Sequence, residues 1–248
     1  MENKNSIVEI FGIRIENITN DEFLNLISDG ITCGRKMTIA YANADSLNKI
    51  YENEFLKNIY RSFDIIHPDG IGVYIASKIL YGKNGLQARI TGSDFYERLI
   101  SESVKNNWSC FFFGHKKVIL DEIQKSNPLL KISGTEEGYN YESDKIIGKI
   151  NSAKPDIIII GLSCPMQENW IFQNKEKING GILFAVGDGI KVFAGKKLRG
   201  PVFIRKMGFE WFVRLINYPI KHFKKYVTGI PKFIYRILKE TVKSVKLK

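Results

Sequence analysis

The chain has 248 residues, 44% hydrophobic and 12% aromatic, enough to bury one substantial core and leave a short addition. Of its 37 basic and 26 acidic residues, 13 and 2 fall in residues 199–248, so the first 198 residues hold 24 of each and the net charge of +11 sits in the last fifth. No run approaches the roughly 20 apolar residues of a spanning helix, residues 1–20 lack the pattern of a signal peptide, and Cys33, Cys110 and Cys164 have neither disulfide-framework nor metal-ligand spacing. The expectation is a cytoplasmic protein whose cysteines serve as small apolar residues.

In chain order, Thr19 and Glu22 form a capping box that opens the first helix. Apolar runs rich in β-branched and aromatic residues then predict strands over Lys36–Ala42, Phe63–His67, Trp108–Phe113, Asp156–Leu162 and Ile182–Val186, with a weaker one at Leu130–Ser133. Leu47, Ile50, Tyr51, Glu54 and Asn58 carry the 3.6-residue repeat of a second helix between the first two strands. Strands alternating with helices predict an α/β fold over residues 1–198 with a parallel sheet, followed by a basic helical appendage over 199–248.

Ligands of open α/β sheets gather beyond the carboxyl ends of the strands. Here those ends carry Asn43-Ala44-Asp45, Pro68-Asp69-Gly70-Ile71-Gly72, Gly114-His115, Gly161 through Glu168, and Gly187-Asp188-Gly189. Glycines there let the backbone approach a ligand, and helix N-termini offer N–H groups to phosphate oxygens. The chain contains no Asp-x-Asp, the close carboxylate pair that usually holds a metal on a nucleotide diphosphate, so neither metal nor cofactor is expected. Asp69, in a glycine-flanked strand-to-helix turn, is the candidate general base, against the alternative that it caps the helix beginning near Gly70; His67 is read as structural.

The appendage interleaves its charge with aromatic residues in two amphipathic segments. In the first, Phe209, Phe212, Val213, Ile216, Ile220 and Phe223 oppose Arg214, Asn217, Lys221 and Lys224. In the second, opened by Pro231, the apolar face is Phe233, Ile234, Ile237, Leu238, Val242 and Val245, and the basic face is Lys232, Arg236, Lys239, Lys243 and Lys246. At ~1 kcal/mol per basic group near an anionic bilayer, five such groups suffice for peripheral, salt-sensitive attachment. The competing expectation is that the apolar stripes pack on the body while the cations face water.

A series of motifs carries a resemblance. Pro68-Asp69-Gly70-Ile71-Gly72-Val73, Arg89-Ile90-Thr91-Gly92-Ser93-Asp94, Pro155-Asp156 leading to Gly161, Pro165-Met166-Gln167-Glu168, Val186-Gly187 with Ala194-Gly195, Arg199-Gly200-Pro201, and Gly208-Phe209-Glu210-Trp211 before Arg214-Leu215 run in order along nearly the whole chain. In these the sequence resembles the WecG/TagA/CpsF glycosyltransferases. The resemblance implies a Rossmann-like fold and inverting, metal-independent transfer of a sugar from a UDP-sugar to a polyprenyl-diphosphate-linked sugar. The product would serve teichoic acid, common antigen or exopolysaccharide synthesis. It also implies peripheral attachment to the inner face of an anionic membrane, and homo-oligomers are a further possibility.

On this resemblance Asp69 matches the family's base. Asn43, Asp45, Gly70, Gly114, Tyr139, Gln167, Glu168, Gly187 and Asp188 are assigned to the donor, and Arg89, Arg214, Lys221 and Lys224 to the acceptor diphosphate. Tyr41 stands where many members have Thr, and Lys191 where many have Asp, with Asp188 nearby. For Tyr139 the alternative is a core tyrosine. Two other functions are weighed against the transferase: a non-catalytic membrane-bound nucleotide-sugar sensor, and a nucleic-acid-binding module, which the apolar stripes of the appendage disfavour.

Overall fold

The structure is a computed structural model that describes residues 6–246, without the side chains of Lys221 and of 243–246. Six parallel strands form its centre: β3 (Met37–Ala42), β4 (Ile65–Pro68), β5 (Ser109–Gly114), β6 (Lys131–Glu136), β7 (Ile157–Gly161) and β8 (Ile182–Ala185), in the spatial order β4-β3-β8-β7-β5-β6. All the predicted strands are present, including the weak one at β6. The five buried residues of β7, four of them isoleucine, show why near-continuous apolar runs mark such strands: helices cover both faces of the sheet.

One face packs on α1 (Asn20–Thr32), α5 (Gly92–Lys105), α6 (Lys117–Ser126) and α9 (Ile190–Phe193), with Phe23, Phe95, Phe112 and Phe184 at the centre of that layer. The other packs on α2 (Ala44–Glu52), α3 (Glu54–Arg61), α4 (Ile71–Tyr81), α7 (Ser143–Ala153) and α8 (Met166–Asn174), around Leu47, Tyr60, Phe113 and Ile158. The capping box of α1 forms as expected: Thr19 Oγ1 accepts from Glu22 N at 3.2 Å and Thr19 N donates to Glu22 Oε2 at 2.7 Å. An antiparallel hairpin, β1 (Ile7–Ile10) and β2 (Ile13–Glu16), joins the second layer and was not anticipated.

The helix expected through Asn58 is instead two helices. Asn53 takes an extended conformation, and its Oδ1 accepts from Leu56 N at 3.0 Å, so an Asn-capped second helix begins where the periodicity alone reads straight on.

After Gly195 the chain forms α10 (Val202–Lys206), α11 (Glu210–Asn217), α12 (Pro219–Phe223), a π-helical segment Lys224–Thr228, and α13 (Gly229–Lys246). The first amphipathic segment is therefore broken at Tyr218, held outside helical geometry ahead of Pro219. Helix α13 lies on α2 and α4, and its Phe233 and Ile237 enter the core of that layer. Arg236, almost fully buried, donates to Asn48 O and Oδ1, both at 2.9 Å, and to Glu52 at 2.6 Å, with its guanidinium 4.4 Å from the Tyr51 ring centre. Part of each expectation for the appendage holds: one stripe of α13 is packed, while Ile234, Leu238 and Val242 on the same helix stay exposed.

Glycine is required where β5 and β7 end side by side. Gly114 has φ +135°, and a Cβ there would lie 2.5 Å from the Gly161 carbonyl carbon. Gly114→Ala is therefore expected to cost at least about 2 kcal/mol, a fall in Tm on the order of 4–8 °C in thermal melts. An unchanged Tm would mean that the strand ends relax freely.

Candidate active site

Because β4 and β3 are neighbours, their carboxyl ends place Asp69 beside Asn43. Asn43 is the N-cap of α2: its Oδ1 accepts from Asp45 N (3.1 Å) and Ser46 N (3.0 Å), which turns its Nδ2 outward to donate to Asp69 Oδ2 at 3.2 Å. Asp69 Oδ1 accepts from Gly92 N, the first residue of α5, at 2.9 Å. The carboxylate thus sits at the positive end of α5 and leaves α4 without a side-chain cap, so the capping role considered for it at Gly70 is not the one it performs. Each oxygen uses one hydrogen bond, and a carboxylate oxygen can accept two, so acceptor capacity remains on both.

Asp69, Asn43, Asp45, Gly70 and Arg214 line one cavity of about 510 Å³. Its roof comes from the appendage. Arg214 is paired with Glu210 at 2.6 Å, Ser93 Oγ donates to the same Glu210 oxygen at 3.4 Å, and Arg199 bonds Asp94 and Glu97 on α5. Arg89 donates to Arg205 O at 3.1 Å, holding the segment that carries Met207–Trp211. Beyond the polar end, Ile71, Ile75 and Ile79 of α4 face Ile230, Phe233, Ile234 and Ile237 across an apolar groove.

The other predicted residues lie further along the same edge of the sheet. Gln167 and Glu168 are fully buried; Gln167 Oε1 accepts from Gly187 N at 2.8 Å, and its Nε2 donates to Glu168 Oε1 at 2.8 Å, where Tyr60 OH also donates at 3.1 Å. Together they fix the turn after β8, where Gly187 lies so close to Tyr41 that a Cβ would stand 2.9 Å from the hydroxyl. Asp188 pairs with Lys191 at 2.9 Å and with Lys197. Burial alone would raise its carboxyl, but the two ammonium groups hold it well below the usual range, while burial lowers the Lys197 ammonium to about 8. Lys191, which stands where many members have Asp, thus forms an ion pair with the nearby Asp188. Gly114 ends β5 and Tyr139 follows β6; Tyr139 is 57% exposed, which removes the core alternative.

Lys224 is exposed, and the Lys221 side chain lies outside the described residues. Among the described residues, the tail cations that line the cavity are Arg205, Arg214 and Lys225. Lys225, Tyr226, Thr91 and Arg205 went unrecognised in the sequence; the signal available was the spacing Tyr226, Ile230, Phe233, Ile237, a helical stripe that begins one turn earlier than Pro231 suggested. His67 is buried and neutral, its ring lowered to about 4 by burial, with Nδ1 on Pro68 O at 3.1 Å; this is the structural role expected of it.

A parallel α/β sheet that gathers a carboxylate, cations and an apolar groove beyond its strand ends has the arrangement of a ligand-binding site. The sequence matches the Glycosyl transferase WecG/TagA/CpsF family over residues 8–246, and the chain belongs to that family. It is 31% identical over 187 residues to the N-acetylglucosaminyldiphosphoundecaprenol N-acetyl-beta-D-mannosaminyltransferase of Bacillus subtilis, covering 74% of this chain and 72% of that one. To the proteins of the same name from Bacillus spizizenii and Staphylococcus aureus it is 29% and 27% identical, covering 84% and 97% of this chain and 81% and 96% of theirs. The chain is thus a glycosyltransferase.

Burial raises the Glu168 carboxyl above the usual carboxylate range. A folded-state value above the unfolded one contributes stability that is full below the unfolded value of about 4.5 and is lost as the pH rises through the folded value. Glu168→Gln keeps an acceptor oxygen and cannot ionise. It is expected to raise Tm relative to the parent chain near pH 8 and to lose that advantage near pH 4. An equal difference at both pH values would show that Glu168 ionises as freely as in the unfolded chain.

Proposed function

We propose that this enzyme transfers a hexose of the N-acetylmannosamine type from a UDP-sugar to a polyprenyl-diphosphate-linked sugar, with inversion and with Asp69 as general base, in teichoic acid or related surface-polysaccharide synthesis. The observation that carries the reading is the Asp69 carboxylate, fixed by Asn43 and Gly92 with acceptor capacity left over, at the polar end of a cavity whose other end is apolar. The relatives' names supply the acceptor, a diphosphoundecaprenol carrying N-acetylglucosamine, and the mannosaminyl group.

In the reaction the acceptor hydroxyl oxygen attacks the anomeric carbon, the bond from that carbon to UDP breaks with its electron pair leaving on the phosphate, and Asp69 takes the hydroxyl proton. The donor runs along the ends of β3, β8, β7 and β5. Asn43 and Asp45 meet its sugar, Gly70, Gly114 and Gly187 admit its phosphates to backbone N–H groups, and Tyr139 lies along its base or ribose. Gln167 and Glu168 serve it indirectly, by holding Gly187, and Asp188 with Lys191 borders it. Arg214 faces the acceptor, and Arg89 supports the roof above it.

Attachment is peripheral, on the inner face of an anionic membrane. No helix among the described residues is long and apolar enough to cross a bilayer. Support comes from the exposed apolar face of the appendage, where Phe212, Ile216, Ile220 and Phe223 are 47–96% exposed among lysines.

Removal of a general base typically costs ~10²–10⁴-fold. Asp69→Asn is expected to lower kcat for lipid-dependent UDP release by that amount while UDP-sugar binding, read by calorimetry, is retained; wild-type turnover in the variant would remove Asp69 from the role. Replacing Ile216 and Ile220 with Ser is expected to cut co-sedimentation with anionic vesicles, and the parent's binding should fall with added salt. Equal, salt-insensitive binding to zwitterionic vesicles would refute this attachment.

A further inference from the structure

The turn Gly187–Gly189 after β8 has room for one side chain. A Cβ at Gly187 would stand 2.9 Å from the Tyr41 hydroxyl, and one at Gly189 would stand 2.3 Å from the Tyr96 ring. The backbone is pinned as well, Gly187 N on Gln167 Oε1 at 2.8 Å and Gly189 N on Val186 O at 2.9 Å. Asp188 is therefore what the turn offers beyond the sheet, and its side chain is 47% exposed. Its direction is set by Lys197, whose Nζ donates to Asp188 O at 3.0 Å and also to the Asp188 carboxylate. Lys191 takes the other carboxylate oxygen at 2.9 Å. With one ammonium on each oxygen, the carboxylate keeps acceptor capacity on both.

Lys197 is an unusual residue to hold a turn. Its side chain is 6% exposed, and a lysine is almost never buried so far without a paired charge. Burial and the neighbouring Arg214 lower its ammonium to about 8, against the pull of Asp188 and Glu210. A neutral donor would satisfy the Asp188 carbonyl; the ammonium matters for the carboxylate. Because β3 separates β4 from β8, Asp69 and Asp188 follow strands two spacings, about 10 Å, apart. In a nucleoside-diphosphate sugar the ribose follows the anomeric carbon by the length of the diphosphate, a similar distance. A carboxylate repels phosphate oxygens and accepts from hydroxyl groups, so the ribose diol is the part of such a donor that suits Asp188.

We propose that Lys197 is a positioning residue for the donor nucleotide: it aims the Asp188 carboxylate at the ribose diol, whose hydroxyls donate to it. The assignment rests on the UDP-sugar donor proposed above and deepens it, giving Asp188 a partner and Lys197 a role. The charged groups that face Lys197 are Asp188 of the turn and Arg214 and Glu210 of α11, with Lys191 of α9 on the other Asp188 oxygen.

The test is calorimetric titration of the full chain with UDP and with dideoxy-UDP, which lacks both ribose hydroxyls, at pH 7 and pH 9. The ratio of the two affinities is the readout, because the nucleotides share their base and diphosphate. The parent is expected to bind UDP about tenfold more tightly at pH 7, the worth of a hydrogen bond to a charged group. Above the Lys197 value of about 8 the ammonium is lost, so the preference should shrink at pH 9. Lys197→Met should bind the two nucleotides alike at pH 7, with dideoxy-UDP bound as by the parent. Lys197→Arg stays charged at both pH values and should keep the preference at pH 9. The proposal is overturned if the parent binds the two nucleotides alike, if Lys197→Met keeps the parent's ratio, or if it weakens both equally, as a merely structural lysine would. A thermal melt establishes that each variant is folded. Should Lys197→Met unfold, the parent and Lys197→Arg at pH 9 decide: a preference kept only by Lys197→Arg supports the proposal, and the same pH dependence in both overturns it. Failure of UDP to bind the parent sinks the donor class and this assignment together, whereas lipid-dependent UDP release beside equal binding of the two nucleotides sinks this assignment alone.

Discussion

The arrangement turns on how one carboxylate is held. Asp69 receives one hydrogen bond from a side chain whose own oxygen is committed to capping α2, and another from the first N–H of α5. Asn43 cannot rotate away without uncapping its helix, and Gly92 cannot withdraw without moving α5. The side chain is therefore aimed by two helices and two strands, none of which depends on a bound ligand. A base that must meet a hydroxyl within hydrogen-bond distance gains more from such fixed geometry than from added basicity.

The appendage is tied to that geometry by ionic contacts in which buried arginines meet part-exposed carboxylates. Arg199 links its start to α5 through Asp94 and Glu97, and Arg236 links α13 to the end of α2 through Asn48 and Glu52. Both helices that aim Asp69 are thus also those on which the appendage is moored. Such pairs add little net stability compared with apolar packing, but removing a carboxylate would leave a buried arginine charge unpaired, which makes them suited to fixing a position. The exposed apolar residues project from the same segment, so whatever they contact is registered directly against the Asp69 carboxylate.

Much of this was legible in the sequence. The six strands, the capping box at Thr19 and the polar strand ends are local signals, fixed by apolar runs and capping chemistry, and the structure reproduces them. The pairing of Asn43 with Asp69 was not legible, because it requires knowing that β3 and β4 are neighbours. The break at Asn53 was missed because periodicity continues across it while the Asn side chain supplies a competing cap. Gln167 and Glu168 illustrate a different limit: polar residues at a strand end read as ligand contacts, but the fold turns them inward to hold Gly187. The tail was misjudged by about one turn, since π-helical geometry shifts the faces that a 3.6-residue repeat assigns, bringing in Lys225 where Lys224 was expected.

Because the roof and one wall of the cavity follow the sheet in the chain, the sheet is made before the cavity can close. The β-sheet and its first layers are complete in sequence by Phe193, more than thirty residues before Tyr226 and Ile237 are joined to the chain. Domains fold as units during synthesis, beginning from the N-terminus. Asp69 and both helices that aim it are therefore synthesised before the residues that close the cavity around it. The cavity wall is complete only when α13 is joined, the helix that also leaves Ile234, Leu238 and Val242 exposed.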